Sequence, residues 1–486
     1  MLRALRISLA VICFAGLCLL FLDVSGVLSP NLAFLARAQL VPALLSGSFL
    51  VVAALVACTL LFGRVYCSIL CPLGVLQDML SLLGRKQRFR FGKGRPWLRA
   101  CALLVFLLAF LTGAPLLFSL LEPYSAFGRM AVSLLAPVWQ SGSNILALVS
   151  EHAGNFAVGP TPLWQKGLSA LVAATATFGV ICVLAVRSGR TWCNTLCPVG
   201  AVLGFLHRFA LCRPRMDPEK CTRCGLCAAS CKASCIDAVN TLMDASRCVA
   251  CFNCLGACRS RAIVYTPARQ TAMHRAGEGA VPDPARRALV AAGLGVLGFP
   301  AAAAARNPDE RPPDLTRKKR PAREIPLTPP GSSGLRAFMA QCTGCQLCVS
   351  ACPHQVLSAV DAGANMLRPA MSFERGFCRV NCVSCSLICP TGAIRPISME
   401  QKSAIQIGRA LVDGERCIIT TDKVVCTACS RGCPTGAATL VGKEGGPKRL
   451  AVNPERCIGC GACEYLCPVR PLAAIRVEGN LEHRRV

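Results

Sequence analysis

Four long apolar stretches occupy the first part of the chain, at about 7–28, 43–63, 98–121 and 167–187. A helix needs about 20 such residues to cross about 30 Å of hydrocarbon, so each is expected to span a membrane. The stretch 130–150 is also apolar, but Pro137 and a polar run interrupt it, and it is expected to lie at the interface. Beyond residue 190 the apolar positions are short and scattered, except at 288–305. That segment follows Arg286-Arg287 and ends in small residues, the layout of a Tat-type, twin-arginine export signal. Ala288-Leu289-Val290 departs from the usual Phe-Leu-Lys there. The segment is expected to remain as a fifth span and to carry everything after Arg306 out of the cytoplasm. Gly293, Gly295 and Gly298 within it match GxGxxG, but no strand precedes them, as a dinucleotide site would need.

The polar residues between the spans orient them. Arg64, Arg85, Lys86, Arg88, Arg90, Lys93, Arg95 and Arg99 crowd the loop after the second span, while 29–42 and 122–166 hold only Arg37, Arg129 and Lys166. The positive-inside bias places the N-terminus and the 64–99 loop in the cytoplasm. Four spans then return the chain to the inner face near Arg187 and Arg190.

Composition narrows the class. The 486 residues are 53% hydrophobic, carry a net charge of +28 and include 35 cysteines. A soluble enzyme is rarely this apolar, and a disordered basic tail would lack the apolar residues. The chain is also too long, and its cysteines too patterned, for a secreted disulfide scaffold. Thiolate chemistry on a membrane protein fits better.

Six groups of four cysteines account for most of the thiols. They are Cys221, Cys224, Cys227 and Cys231; Cys248, Cys251, Cys254 and Cys258; Cys342, Cys345, Cys348 and Cys352; Cys378, Cys382, Cys385 and Cys389; Cys417, Cys426, Cys429 and Cys433; and Cys457, Cys460, Cys463 and Cys467. Four follow C-x2-C-x2-C-x3-C, the bacterial ferredoxin run, in which three thiolates wrap one [4Fe–4S] cube and the fourth serves its neighbour. The fourth and fifth groups only lengthen the first loop. Zinc sites usually come as separated C-x2-C pairs, so six [4Fe–4S] clusters are expected. Exchange of the last cysteine predicts one inner cluster from Cys221, Cys224, Cys227 and Cys258 and another from Cys248, Cys251, Cys254 and Cys231. For the four outer groups, exchange between adjacent motifs and nested pairing are equally compatible with the spacing.

Four further cysteines form a repeat. Cys67-Ser-Ile-Leu-Cys71-Pro-Leu-Gly follows the second span and Cys193-Asn-Thr-Leu-Cys197-Pro-Val-Gly the fourth, each preceded by an aromatic residue, Tyr66 or Trp192. Both motifs are expected at the cytoplasmic membrane surface, where disulfides are disfavoured. They read either as structural thiols at helix-ending turns or as four ligands converging on a metal or redox centre. Cys13, Cys18, Cys58, Cys101 and Cys182 in the spans read as small apolar residues; Cys212 and Cys235 are left over.

No C-x-x-C-H occurs, so no c-type haem is expected. The five histidines, with His152 and His207 on opposite sides, exclude a bis-histidine b haem, and no flavin or nucleotide loop is present.

Four spans with two CxxxCP motifs and two ferredoxin groups resemble the NapH-type membrane subunit of periplasmic nitrate reductase systems. A twin-arginine segment followed by four cluster motifs resembles the exported NapG-type ferredoxin, and MauN and MauM form a related pair. The two subunits look fused in one chain. The resemblance implies a quinol dehydrogenase that draws on the membrane quinol pool and passes electrons to a periplasmic acceptor such as a cytochrome c or terminal reductase. The rival reading is an accessory relay, without a quinol site, for periplasmic cofactor maturation or metal reduction. Neither calls for nucleic acid.

The expected fold is an α-helical membrane protein, with α+β bacterial-ferredoxin-like domains on both sides of the bacterial inner membrane. Its parts are a membrane domain at 1–212, a cytoplasmic two-cluster domain at 213–267, a linker and twin-arginine segment at 268–305, a Pro-rich charged linker at 306–334 and a periplasmic four-cluster domain at 335–486. Quinol oxidation needs proton acceptors, and Glu122, His152 and Asp23, acids or bases at span ends, are the candidates. About 30 Å of hydrocarbon would separate the inner and outer clusters, with no haem between them.

Overall fold

The computed structural model describes residues 2–23, 28–84, 89–92, 94–153, 166–267, 318–363, 365–442 and 449–485. The twin-arginine segment lies outside the described residues, as does the first part of the 306–334 linker.

The N-terminal helix bundle is built from α1 (Leu2–Leu22), α2 (Ser29–Arg37), α3 (Leu40–Leu45), α4 (Phe49–Phe62), α5 (Val65–Ile69), α6 (Pro72–Leu80), α7 (Pro96–Leu111), α8 (Pro115–Leu121), α9 (Pro123–Met130), α10 (Ala136–His152), α11 (Leu168–Ser188), α12 (Thr191–Thr195) and α13 (Pro198–His207). Among the described residues, three helices are long and apolar enough to cross a membrane: Leu2–Leu22, Pro123–His152 and Leu168–Ser188. The second and third expected spans are each broken in two. Gly47, at φ 71°, ends α3, and Gly113, at φ 67°, turns the chain into Pro115; both glycines supply the left-handed backbone that a helix stop requires.

The stretch 130–150, expected at the interface, belongs instead to the 30-residue helix Pro123–His152. Its π-helical turn, Ala131–Leu135, lies just before Pro137 and accommodates the N–H that proline lacks.

The domain at 213–267 is closed by an antiparallel ladder between β1 (Cys212–Met216) and the later β4 (Ile263–Pro267), with Cys212 opposite Pro267. Between them runs the small hairpin of β2 (Ile236–Asp237) and β3 (Leu242–Met243).

The C-terminal domain carries three further antiparallel pairs. These are β5 (Leu357–Ala359) with β6 (Pro369–Met371), β7 (Ile405–Val412) with β10 (Ile475–Arg485), and β8 (Ala438–Val441) with β9 (Arg449–Val452). Residues 318–334, expected as linker, are a structural part of this domain. Leu327 is fully buried in its core, Arg323 pairs with the buried Glu464 at 2.6 Å, and Lys318 donates to the carbonyls of Glu464 and Tyr465.

The two cluster domains dock at opposite ends of the helix bundle. Near the start of α1, Arg6 pairs with Asp78, which also faces Lys232 of the 213–267 domain. Near its end, about 22 Å further along a helix, Phe21 packs on Tyr124 and on Gly128, which touches the Cys345 carbonyl. Arg37 donates to the Leu387 carbonyl, and Ser169 to Asp361 and the Val360 carbonyl, which fixes the C-terminal domain on that end.

Candidate redox centres

The six cysteine groups fold into cradles. In the four regular motifs the residues on both sides of the middle cysteine adopt positive φ: Arg223 and Gly225, Ala250 and Phe252, Gly344 and Gln346, Gly459 and Gly461. This alternation turns successive sulfurs and backbone N–H groups inward, the concave nest that suits an anionic iron–sulfur core. Only some of these positions are glycine. Ala250 and Phe252 hold a left-handed conformation that other residues avoid, and the loop sustains the strain at a functional site.

The grouping of thiols is readable from the walls of these recesses. Cys221, Cys224, Cys227 and Cys258 line one, while Cys231 lies within electrostatic range of Cys248, Cys251 and Cys254. In the C-terminal domain, Cys352 joins Cys378, Cys382 and Cys385 around a recess of about 360 Å³. Cys389 stands beside Cys342, Cys345 and Cys348. Cys467 joins Cys417, Cys426 and Cys429, and Cys433 joins Cys457, Cys460 and Cys463. The last cysteine is therefore exchanged between adjacent motifs throughout, which resolves the two pairings left open by spacing.

Four thiols, apolar walls and backbone nests fit [4Fe–4S] clusters. Among the described residues no three His, Cys, Asp or Glu side chains gather as one metal ion would require. Four thiolates 2.3 Å from one zinc would stand only about 3.8 Å apart. In the 213–267 domain burial pushes the Cys254 thiol well up, and in the C-terminal domain it pushes the Cys460 thiol up to about 12. Thiols this hard to ionise alone are suited to ligation by a cationic core, which favours the thiolate.

The recesses form a sequence. The Cys378 amide donates to the Cys460 carbonyl at 3.0 Å, and Cys463 lies beside Cys429. Cys345 and Cys389 lie within electrostatic range of Tyr124, and Cys345 of Glu122, at the end of the helix bundle.

Cys67, Cys71, Cys193 and Cys197 are all buried. Cys67, Cys71 and Cys197 belong to the core of the helix bundle with Leu17, Leu73, Tyr66, Trp192 and Val199. The motif has a local reason. Pro72 and Pro198 begin α6 and α13, where the missing N–H costs nothing, and Cys71 and Cys197 are their N-cap residues. Cys197 Sγ accepts from the Gly200 amide at 3.3 Å. A Cβ at Gly74 would collide with the Cys67 carbonyl and one at Gly200 with the Cys193 carbonyl, so each half closes on itself in the same way.

Sequence reading missed the two arginines that join these halves. Arg64 and Arg190, each three residues before the first cysteine of its motif, are fully buried. Arg64 donates to Asn194 Oδ1 at 2.9 Å and lies 3.7 Å from Cys67 Sγ. Arg190 donates to the Cys67 carbonyl at 2.6 Å and to Asp78 at 2.8 Å. Extending the repeat upstream, Gly63-Arg64-Val-Tyr-Cys67 against Gly189-Arg190-Thr-Trp-Cys193, would have revealed them. Tyr124 and Cys235 were also missed; Cys235 Sγ lies 3.5 Å from Cys231 Sγ.

The three proposed proton acceptors separate. Glu122 is buried and caps α9, its carboxylate accepting from the Tyr124 amide at 3.1 Å and from the Ser125 amide. Asp23, also buried, follows Phe21 at the same end and accepts from the Leu28 amide at 2.9 Å. His152 is exposed at the far end of α10, about 45 Å along a helix from Glu122. The structure brings the first two to one corner and leaves His152 out of it.

Comparison with known proteins agrees with this construction. A 4Fe-4S binding domain family matches residues 44–90 and again 170–216, the two halves that carry the CxxxCP motifs. Two 4Fe-4S dicluster domain families match 341–419 with 424–470, and 244–356. The methylamine utilization ferredoxin-type protein MauM of Methylophilus methylotrophus is 34% identical over 171 residues, 32% of this chain and 73% of that protein. The corresponding protein MauN of Paracoccus denitrificans is 28% identical over 206 residues, 40% of this chain and 55% of MauN. The ferredoxin-type protein NapG of Escherichia coli is 29% identical over 175 residues, 33% of this chain and 75% of NapG. No solved structure matches the chain. Thiol cradles of the ferredoxin kind, and a MauM relative matched over most of its length, lead to one conclusion: the chain belongs to the MauM-type family of ferredoxin-type, 4Fe-4S-binding electron-transfer proteins.

Proposed function

We propose that this protein is a quinol dehydrogenase of the bacterial inner membrane, joining NapH- or MauN-like and NapG- or MauM-like parts in one polypeptide with six [4Fe–4S] clusters. The 213–267 domain faces the cytoplasm, and the domain from 318 onward faces the periplasm, in keeping with the basic 64–99 loop. When bound, each cluster supplies a one-electron exchange.

The observation that carries the reading is the corner where Glu122 and Tyr124 lie beside Cys345, at the end of the bundle reached by Asp23. Oxidation of a quinol to a quinone releases two protons and two electrons. Glu122 and Asp23 are placed to take the protons. The Cys342, Cys345, Cys348 and Cys389 group is the nearest acceptor of the electrons. From there the order of thiol groups leads through Cys352 and Cys378 to Cys460 and Cys433, then to Cys429 and Cys467, and finally to a periplasmic cytochrome c or terminal reductase.

The test is an EPR-monitored titration of the purified protein with a reduced quinol analogue. Reduction of clusters in the C-terminal domain supports the reading; clusters that accept electrons from dithionite but never from quinol overturn it in favour of the accessory relay.

A further inference from the structure

Each segment matching the 4Fe-4S binding domain family offers just two CxxxCP thiols, too few for a cluster of its own. We infer that Cys67, Cys71, Cys193 and Cys197 together hold one further iron–sulfur cluster, two ligands from each half of the bundle, and that this centre links the two cluster domains electronically.

Three independent features converge on the site. The first is pairing across the repeat. A Cβ at Gly74 would strike the guanidinium of Arg190, and one at Gly200 that of Arg64, so each motif's closing turn is completed by the other motif's arginine. Cys71 and Cys197 each lie within electrostatic range of Cys193 and Cys67. All four thiols are thus within electrostatic range of one another.

The second is charge. Arg190 is paired with Asp78, but among the described residues Arg64 has no carboxylate partner. Its partners there are Asn194 Oδ1, the Ser246 and Cys193 carbonyls and Cys67 Sγ, and its Nε has no acceptor among them. A fully buried, uncompensated guanidinium is costly and calls for a neighbouring anion. A thiolate-ligated iron–sulfur core is such an anion, and the N-termini of α6 and α13, both beginning at the ligand cysteines, add their dipoles to the same point. Gln77 Nε2, 3.1 Å from Cys193 Sγ, supplies the kind of hydrogen bond to sulfur that sets cluster potentials.

The third is position. Arg64 connects Cys67 Sγ to the Ser246 carbonyl, two residues before Cys248, and lies within electrostatic range of Cys248 itself. On the other side Tyr66, next to Cys67, lies within range of Cys71 and of Glu122, which in turn faces Cys345. The site stands between the two cluster domains, along the path from Cys248 to Cys345. Its use is exchange of a single electron between the Cys248 and Cys345 groups; the four Fe–S(Cys) bonds persist and no proton moves.

The test uses the full-length protein, purified anaerobically from membranes, with iron and acid-labile sulfide measured per chain. The double variant Cys67→Ser/Cys193→Ser is expected to lose about 4 Fe and 4 sulfide if the core is a cube, or about half that if it has two irons, with the other clusters' EPR signals kept. Unchanged iron and sulfide, or loss of zinc or copper instead, overturns the inference. Should the double variant fail to accumulate, Arg64→Gln keeps all four thiols. It is expected to leave iron unchanged and lower the midpoint potential of one EPR signal; potentials that all stay in place overturn the inference. Iron content is blind to quinol, so this test stands or falls separately from the quinol reading, on which it does not rest.

Discussion

Arg190 donates to the carbonyl of Cys67, 123 residues earlier, at 2.6 Å. This hydrogen bond crosses between the two halves of the repeat, and the same guanidinium carries the pairing onward to Asp78 at 2.8 Å. Asp78 is met by three cations from three places: Arg6 of the first helix, Arg190 of the second CxxxCP motif and Lys232 of the 213–267 domain. One buried carboxylate thereby ties helix bundle, thiol site and the 213–267 domain together.

Asp78→Asn should therefore do more than remove a salt bridge. It leaves buried cations uncompensated, a loss of about 3–5 kcal/mol for a pair broken on one side. The expected result is release of the 213–267 domain, read as faster proteolysis near residue 208 in isolated membranes. Asp217→Asn, which removes the solvent-facing pair with Lys220 and keeps Oδ1 as acceptor for the Glu219 amide, should leave the cleavage rate unchanged.

The exchange of the last cysteine makes a prediction that local motifs would not. Cys389→Ser should perturb the same EPR signal as Cys345→Ser, and Cys352→Ser the same signal as Cys382→Ser, because these are the partners around each recess. If Cys389→Ser instead alters the signal that Cys382→Ser alters, the recess assignments are wrong.

Much of this was legible beforehand. Cysteine spacing alone located the six cradles, because three sulfurs can reach one cube only from a tight loop. Spacing could not choose between adjacent and nested exchange, since that depends on which cradles pack together in space. Apolar length anticipated two of the three long apolar helices, Leu2–Leu22 and Leu168–Ser188; it did not show the breaks at Gly47 and Gly113 in the other two expected spans, and a proline at 137 was read as a stop although a π turn carries the helix Pro123–His152 past it. The burial of Arg64 and Arg190 ran against every expectation for arginine; a repeat compared over five residues rather than from the aromatic onward would have revealed them.

At the corner proposed for quinol, Glu122→Gln preserves a capping oxygen for α9 but removes the proposed proton acceptor. Quinol-driven cluster reduction should slow by about 100-fold or more, the usual worth of a positioned base, while dithionite reduction is unaffected. Tyr124→Phe tests a different property. Its hydroxyl is buried within electrostatic range of Cys345 and Cys389 and has no hydrogen-bond partner among the described residues. A donor to cluster sulfur raises the potential, so its loss should lower the midpoint of the Cys345 signal and leave the others in place.

The last strand of the C-terminal domain carries a pH dependence of calculable sign. His483, on β10, meets Thr328 Oγ1 at 2.9 Å, and burial lowers its pKa from the ordinary 6.5 to about 4. Between those values the unfolded chain binds a proton that the folded one refuses, so stability rises with pH across the window. The contribution is complete above pH 6.5 and is lost as pH falls toward 4. The strand's grip on residues 318–334 should therefore loosen on acidification, seen as hydrogen exchange at Ser332 and Ser333 accelerating between pH 6.5 and 5 beyond what intrinsic chemistry predicts. His483→Gln, which can still bond Thr328 but cannot titrate, should flatten that excess. Because cluster loss in acid affects both proteins alike, the difference between them isolates the histidine, and equal slopes would show that its burial is not what the pH dependence reports.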